Sequence, residues 1–397
     1  MGLGQEQMAF PQENEDINSI CLSGNNYLFL AVQNLMEKYA IPFSSIGRLE
    51  VGTETVVDKS KSVKSVLMQL FEDSMNFDVI GVDNINACYG GTAALFNTLA
   101  WFESKEWDGR EAIVVAGDIA IYEDGPGRPT GGVGAIAMLI GKDAPIVFER
   151  GLSASYARHT YDFYKPILDS DYPVFDGPMS VSCFLEALTS CYTKYSVKLG
   201  QKFNISCSLD DIDYFICHAP YSKLVQKSVA RLLLLDERGE ASVFDRESEK
   251  QYMKKSEHIF QKKTLPSLVA SKRLGNLYCA SVFGGLLSLL GSVPESELND
   301  KRILIFSYGS GLCSKLYSLK VVGSVQSIVE NASLIERLES RQKVSPEDYS
   351  KTMNRRQFLP NKSFSPKGYS EFMQNGAYYL SQIDEKYRRH YTRCTIS

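Results

Sequence analysis

Asn86-Ala87-Cys88-Tyr89-Gly90-Gly91-Thr92 decides how the rest of the chain is read. The residues before it, Asp78-Val79-Ile80-Gly81-Val82-Asp83, have the composition of a buried strand. The residues after it, Thr92 to Phe102, have the apolar periodicity of a helix. A strand that turns into a helix with a cysteine on the turn sets a thiol at the positive end of the helix dipole. That placement lowers the thiol pKa and favours the thiolate. Gly90 and Gly91 leave room for an acyl group to approach. The stretch therefore predicts a nucleophilic cysteine that accepts an acyl group. The competing reading is a small buried cysteine in a tight turn, since free cysteines are among the most buried residues.

Outward from this turn, strands and helices alternate. Val114–Ile119, Gly132–Ile140, Tyr214–Cys217 and Arg302–Ser307 read as strands, and Ser222 to Leu235 as a helix. Such alternation specifies an α/β layered fold. A weak repeat is visible. Tyr89-Gly90-Gly91 and Phe283-Gly284-Gly285 each open an apolar helix, and a buried strand follows each at a similar distance. Duplication of one unit, with a site between the halves, is one account of it, and chance is the other. The boundaries expected are 1–134 for the first half with Glu54 and Cys88, 135–208 for a connecting substrate-site segment, and 209–397 for the second half with His218. The charged stretch 236–263 reads as a surface excursion outside the core, and 337–368 as a surface helix and loop.

Composition narrows the function. At 397 residues, 44% hydrophobic and 23% charged, the chain is an ordinary globular protein with room for two domain-sized units. A net charge of −4 gives no support for a nucleic-acid surface. No stretch reaches the roughly 18 apolar residues of a membrane span. Met1–Glu6 has neither the basic and apolar regions of a secretory signal nor an Arg-rich presequence character, and Glu6 stands where myristoylation wants Ser or Thr. Nine cysteines without a Cys-x-x-Cys pair argue against zinc and a disulfide framework, and for a reducing compartment.

An acyl-accepting cysteine needs partners. Of the four histidines, His218 follows the strand Tyr214–Cys217 directly, at the edge where α/β sites gather, while His258 and His390 sit in charged surroundings. Glu54, in Val51-Gly52-Thr53-Glu54-Thr55, has small and β-branched neighbours that would desolvate it and raise its pKa toward that of a general base. A strand-edge Glu facing water is the alternative. Lys223 and Lys227 share one helical face beyond His218, where they would hold phosphates or simply face solvent.

These pieces together resemble the eukaryotic hydroxymethylglutaryl-CoA synthases of the thiolase superfamily. The matching text is Gly47–Glu54, Asp58–Lys64, Asn86–Gly91, Arg128–Gly132, Tyr161–Pro166, His218–Tyr221 and Phe306–Gly311. The resemblance implies a thiolase-type α-β-α-β-α fold in two pseudo-repeated halves, and an acyltransferase of the mevalonate pathway to isoprenoids and sterols. Acetyl-CoA and acetoacetyl-CoA are the implied substrates, a homodimer the implied assembly, and no metal or bound cofactor is implied. It assigns Cys88 as acetyl acceptor, Glu54 as acid and base, and His218 as hydrogen-bond partner of the acetoacetyl group. Backbone N–H groups at Cys88 and Ser310 form the implied oxyanion hole. Lys223 and Lys227 are assigned to CoA, Thr130, Ser180, Asn276 and Ser310 to the acyl and pantetheine tunnel, and Asp118 and Asp162 to support. A cytoplasmic location is expected, with a mitochondrial form left open.

The chain departs from that family in places. The family carries a first strand, before the match to Gly2-Leu3-Gly4-Gln5, that is expected to be missing here from the middle of the N-terminal sheet. Two neighbouring strands would then hold unpaired groups at about 1–3 kcal/mol each if buried. Residues 23–30 are expected to add to a helix that the family runs unbroken, Pro126 replaces an Asn, and the 236–244 stretch is short. Two alternatives to an active synthase follow: a non-catalytic isoform that binds CoA esters or full-length subunits, or another condensing enzyme of the superfamily, which would want a second catalytic Cys. Cys394-Thr395-Ile396-Ser397 fits a prenylation box, which would give a membrane-bound fraction; an unmodified, frayed tail is the alternative.

Overall fold

The structure, a computed structural model, describes residues 24–395 apart from 126, 168–169, 206, 241–242, 342–344, 357–362 and 366–374. Two four-stranded sheets organise it. The first holds β1 (Ile46–Gly52), β2 (Asp83–Asn84), β3 (Glu111–Ala120) and β4 (Gly132–Ile140) in the order β2-β1-β3-β4. The second holds β5 (Ile146–Ala157), β6 (Tyr214–Cys217), β7 (Arg302–Gly309) and β8 (Cys313–Val321) in the order β5-β8-β7-β6. In each, a parallel pair (β1 with β3, β6 with β7) adjoins an antiparallel pair (β3 with β4, β7 with β8). The repeat is therefore a duplication of topology.

Strand alternation builds the layers. Val114 and Ala116 of β3 face a central core with Ile136 and Met138, while Ile113 and Val115 face an outer one. The central core is filled by Ala94 and Leu95 of helix α1 (Gly90–Phe102), and by Phe283, Leu286 and Leu290 of its counterpart α4 (Ser281–Ser292), against Ile303 and Ile305 of the second sheet. Both helices lie between the sheets, so α4 is buried on every side from Ser281 to Leu290. Helix Gly24–Lys38 covers the outer face of the first sheet with Tyr27, Leu28, Phe29 and Val32. Helices α2 (Gly177–Phe203) and α3 (Ser222–Arg238) cover the second. Five layers result, α-β-α-β-α, as expected.

Several expectations change. The first sheet has no gap in its middle: Val51 pairs with both Asp83 and Val115, and Val114 with Met138. In the second sheet β5 sits on the edge beside β8, so the corresponding position in the first is an edge beside β4. The interior backbone groups are paired, and the expected cost of a missing central strand does not arise. Residues 24–30 continue one helix to Lys38 and bury Tyr27 through Leu30; they do not interrupt it. Asp78–Asp83 is an outer segment with Ile80 and Val82 exposed, because nothing among the described residues packs on that flank. A boundary after 134 would cut β4, whereas β5 from Ile146 already belongs to the second sheet. The excursion 236–263 is not confined to the surface. Its polar helix Arg246–Lys255 buries Tyr252 against Ala230 and Leu234, and Phe260 joins the core beyond it. A single buried aromatic, with Met253 beside it, docks a helix that is otherwise polar. Cys394 is buried, and its backbone is bonded on both sides, to Ala377 O and from Gly376 N, so the chain is not frayed there. Pro126 lies outside the described residues.

Candidate active site

The ends of the parallel strands bring the site together, as sheets of this kind do at their carboxyl edges. Thr53-Glu54-Thr55 leaves β1, Cys88 follows β2, Asp118 lies two residues before the end of β3, His218 follows β6 and Ser310 follows β7. Gly52 and Gly91 meet back to back: a Cβ on Gly52 would lie 2.2 Å from Gly91 N. A Cβ on Gly91 would lie 2.5 Å from Cys279 O, and one on Gly90 would lie 2.6 Å from Asn84 O. These glycines are required by packing within the protein, and not, as expected, by a substrate that approaches them. Ala87 takes a left-handed φ of 37° to swing the chain into α1.

Cys88 Sγ–H donates to Glu54 Oε2 at 3.8 Å. Burial, then the negative charges of Glu54 and Asp118, hold the Cys88 thiol well above its ordinary value. The expected lowering by the helix dipole is outweighed, because two carboxylates and desolvation act on the same sulfur. Glu54 is itself buried, which raises its pKa; Lys165 Nζ at 3.1 Å opposes that rise. Glu54 is thus no water-facing edge residue. It is a base held in a desolvated place beside one cation.

Asp118 fixes this base. Its Oδ1 accepts from Thr53 Oγ1 (2.8 Å), Glu54 N (2.7 Å), Thr55 N (3.1 Å) and Thr55 Oγ1 (3.0 Å), and its Oδ2 accepts from Cys279 N (2.9 Å). Asp162, fully buried, does the same for the other half: Oδ2 accepts from Tyr308 OH at 2.8 Å and Oδ1 from Gly311 N at 2.9 Å. Gly309 presses on the nucleophile turn, since a Cβ there would lie 2.6 Å from Tyr89 N. The residue before Ser310 thus packs on the residue after Cys88. Ser180 donates to Asp162 O at 2.9 Å.

His218 is 2% exposed, and burial lowers its pKa to about 3. The imidazole is neutral at any working pH. Its Nδ1 is buried, and no described residue hydrogen-bonds to it. Asn276 and Thr130 meet through Tyr278, whose N–H donates to Asn276 Oδ1 at 2.8 Å and whose hydroxyl donates to Thr130 O at 2.9 Å. The Thr130 hydroxyl is turned to Gly127 O at 2.6 Å. The two lysines differ. Lys223 is exposed at the start of α3, whereas Lys227 is paired with Glu249 at 2.9 Å. No hydrogen bond joins either lysine to the cysteine, carboxylate and histidine among the described residues.

Sequence reasoning missed Lys165, Thr53, Thr55, Tyr278, Cys279 and Tyr308. Lys165 lies inside the quoted Tyr161–Pro166 motif, three residues from Asp162, so the signal was there. Cys279 gave none, as one of nine scattered cysteines. No group of three or more His, Cys, Asp or Glu is placed to hold a metal among the described residues.

In a duplicated five-layer fold, a thiol that can pass its proton to a buried carboxylate is the equipment of the thiolase-fold condensing enzymes, and this chain falls in that class. Comparisons with known proteins narrow the class. The description "Hydroxymethylglutaryl-coenzyme A synthase N terminal" matches residues 1–145, and its C-terminal counterpart matches 146–243 and 236–394. Human cytoplasmic hydroxymethylglutaryl-CoA synthase is 46% identical over 428 aligned positions, covering 99% of this chain and 81% of the human one. A synthase of Zymoseptoria tritici is 47% identical, covering 98% and 90%. Among solved structures, MvaS in complex with 3-hydroxy-3-methylglutaryl coenzyme A superposes with a TM-score of 0.81 at 29% identity, over 98% of this chain and 90% of that one. The chain belongs to the hydroxymethylglutaryl-CoA synthase family.

Proposed function

We propose that this chain condenses acetyl-CoA with acetoacetyl-CoA and water to 3-hydroxy-3-methylglutaryl-CoA and CoA, the committed carbon skeleton of the mevalonate pathway. The observation that carries the reading is the Cys88 thiol on the Glu54 carboxylate at 3.8 Å. The thiol proton passes to Glu54 as the sulfur attacks the acetyl thioester, and it leaves with the CoA sulfur. Glu54 then takes a proton from the acetyl methyl. The carbanion attacks the ketone carbon of acetoacetyl-CoA, and Glu54 returns the proton to the alkoxide. Water hydrolyses the Cys88 thioester and frees the thiol. Backbone N–H groups at Cys88 and Ser310 would stabilise the thioester oxyanion, and neutral His218 would hydrogen-bond the acetoacetyl oxygen. Asp118 and Asp162 hold these groups, Thr130, Ser180 and Asn276 line the acyl and pantetheine path, and Lys223 with Lys227 receives the CoA phosphates. The scheme needs no metal and no cofactor beyond the CoA of its substrates.

Radiolabelled acetyl-CoA tests the reading. Label should enter the purified chain and be absent from a Cys88→Ala chain; folded protein that takes no label would overturn it. Two copies are proposed to pair through the exposed Phe77, Ile80, Val82 and Ile85. The location is proposed as cytoplasmic; relatives bear both cytoplasmic and mitochondrial names, and the described cysteines are free, in keeping with a reducing compartment.

A further inference from the structure

We propose that Cys279 is a positioning residue for acyl transfer, which locks the nucleophile turn and the base-bearing turn into one fixed relation. Its Sγ–H donates to Ala87 O at 2.9 Å, the carbonyl immediately before Cys88. Its N–H donates to Asp118 Oδ2 at 2.9 Å. The other oxygen of that carboxylate accepts from Glu54 N at 2.7 Å. One residue is therefore a single bond from the peptide that aims the nucleophile, and one carboxylate from the peptide that aims the base. Cys279 belongs to the second half of the molecule, and both turns belong to the first.

The local backbone shows why such a lock is needed. Ala87 and Tyr278 are both left-handed, with φ of 37° and 50°. Neither residue favours that region, and each costs about 1–2 kcal/mol there unless its surroundings hold it. The lock has little slack. Cys279 is 1% exposed, and a Cβ on Gly90 would lie 3.2 Å from its sulfur. Nor is Cys279 a second nucleophile. Its hydrogen is engaged by Ala87 O, and burial, followed by the charges of Asp118 and Glu54, keeps it a thiol. The alternative of a two-cysteine condensing enzyme thus finds a second cysteine at the site, but one committed to a carbonyl.

The proposal rests on the acyl-transfer reading, because acetylation of Cys88 is the step it serves. Its test compares the full chain with Cys279→Ser and Cys279→Ala by two readouts. One is single-turnover acetylation by labelled acetyl-CoA across concentrations. The other is alkylation of Cys88 by iodoacetamide, followed by peptide mass. The alanine chain should acetylate roughly tenfold to a hundredfold more slowly, as expected for a reacting group displaced by a fraction of an ångström. Its half-saturating acetyl-CoA concentration should stay unchanged, and alkylation of Cys88 should slow with it. The serine chain keeps a donor and should recover most of both rates. An alanine chain at the wild-type rate, a serine chain as slow as alanine, or a loss confined to half-saturation would each overturn the proposal. Should the alanine chain not fold, Cys279→Val, which keeps bulk without a donor, takes its place. If the unaltered chain takes no acetyl label yet alkylation follows the same series, the acyl-transfer reading fails and the positioning role stands.

Discussion

At the scale of the residue, Lys165 and His218 set how the site answers to pH. Glu54 is pushed up by burial and held down mainly by Lys165 Nζ at 3.1 Å; Asp118 pushes up, and the Cys88 thiol helps hold it down. Loss of the cation leaves only the weaker opposing contact. A Lys165→Met chain should therefore need a higher pH to deprotonate its base: the acidic limb of the acetylation profile moves up, the rate at neutral pH falls, and alkaline pH recovers it. A limb that stays in place would show that Lys165 does not tune Glu54. His218 has the opposite character. Its pKa falls from an ordinary value near 6.5 to about 3 on folding. The unfolded chain therefore binds the extra proton between those values. Stability from this residue is full above about pH 6.5 and is lost as pH falls, by about 1.4 kcal/mol per unit until the folded group also titrates. His218→Phe should flatten the dependence of the urea midpoint on pH between about 6.5 and 4. An unchanged slope would mean that the imidazole is not buried neutral.

At the scale of the element, the site depends on glycine contacts that let turns from the two halves touch. Gly309 ends β7 where a Cβ would lie 2.6 Å from Tyr89 N and 2.7 Å from Asn86 O, both backbone atoms that cannot rotate away. Gly309→Ala should push the Ser310 turn off the Cys88 turn, cost about 1–3 kcal/mol or more by overpacking, and suppress acetylation beyond what the lost stability explains. Melting temperature and acetylation rate, measured on the same preparation, check this. Gly151, by contrast, has nothing within 4 Å of a Cβ but a φ of +81°, so alanine there should cost stability alone. The same contrast explains what the sequence disclosed. Strand-turn-helix around Cys88, the strand before His218 and the layered alternation were legible, because each is a local pattern of apolar period and turn residues. Cys279 against Ala87 was not, since it joins positions 192 residues apart. The rise in the Cys88 pKa was hidden for the same reason: the helix N-terminus is local, while Glu54 and Asp118 come from other strands. The buried Tyr252 was missed because most of its helix is charged.

At the scale of the whole molecule, the apolar residues that none of the described elements covers bear on assembly. Met75, Phe77, Ile80, Val82 and Ile85 are between 46% and 74% exposed, all within eleven residues on the outer flank of the first sheet. The turn that begins at Val63 is tied to this flank. Lys64 Nζ donates to Val79 O at 2.6 Å, and the Asp83 carboxylate accepts from Val63 N and Lys64 N. Side-chain burial is what a second copy would gain there, at about 25 cal/mol for each Å² of apolar surface covered. Contiguous apolar patches of this kind on a soluble chain mark contact surfaces. A charge placed in the middle should be costly only if the patch is buried on assembly. Val82→Glu should then weaken self-association by about 3–5 kcal/mol, roughly two to four powers of ten, as an unpaired charge in a desolvated interface does. Val82 already faces water in the single chain, so the melting temperature of a monomer should hardly move. Sedimentation at micromolar concentration separates the cases: twice the chain mass for the unaltered protein and the chain mass for Val82→Glu supports pairing through this flank. A dimer that survives the substitution would place its interface elsewhere. Because the Cys88 turn begins one residue after Ile85, the acetylation rate of the separated copies would also report whether the flank steadies that turn or merely joins two finished sites.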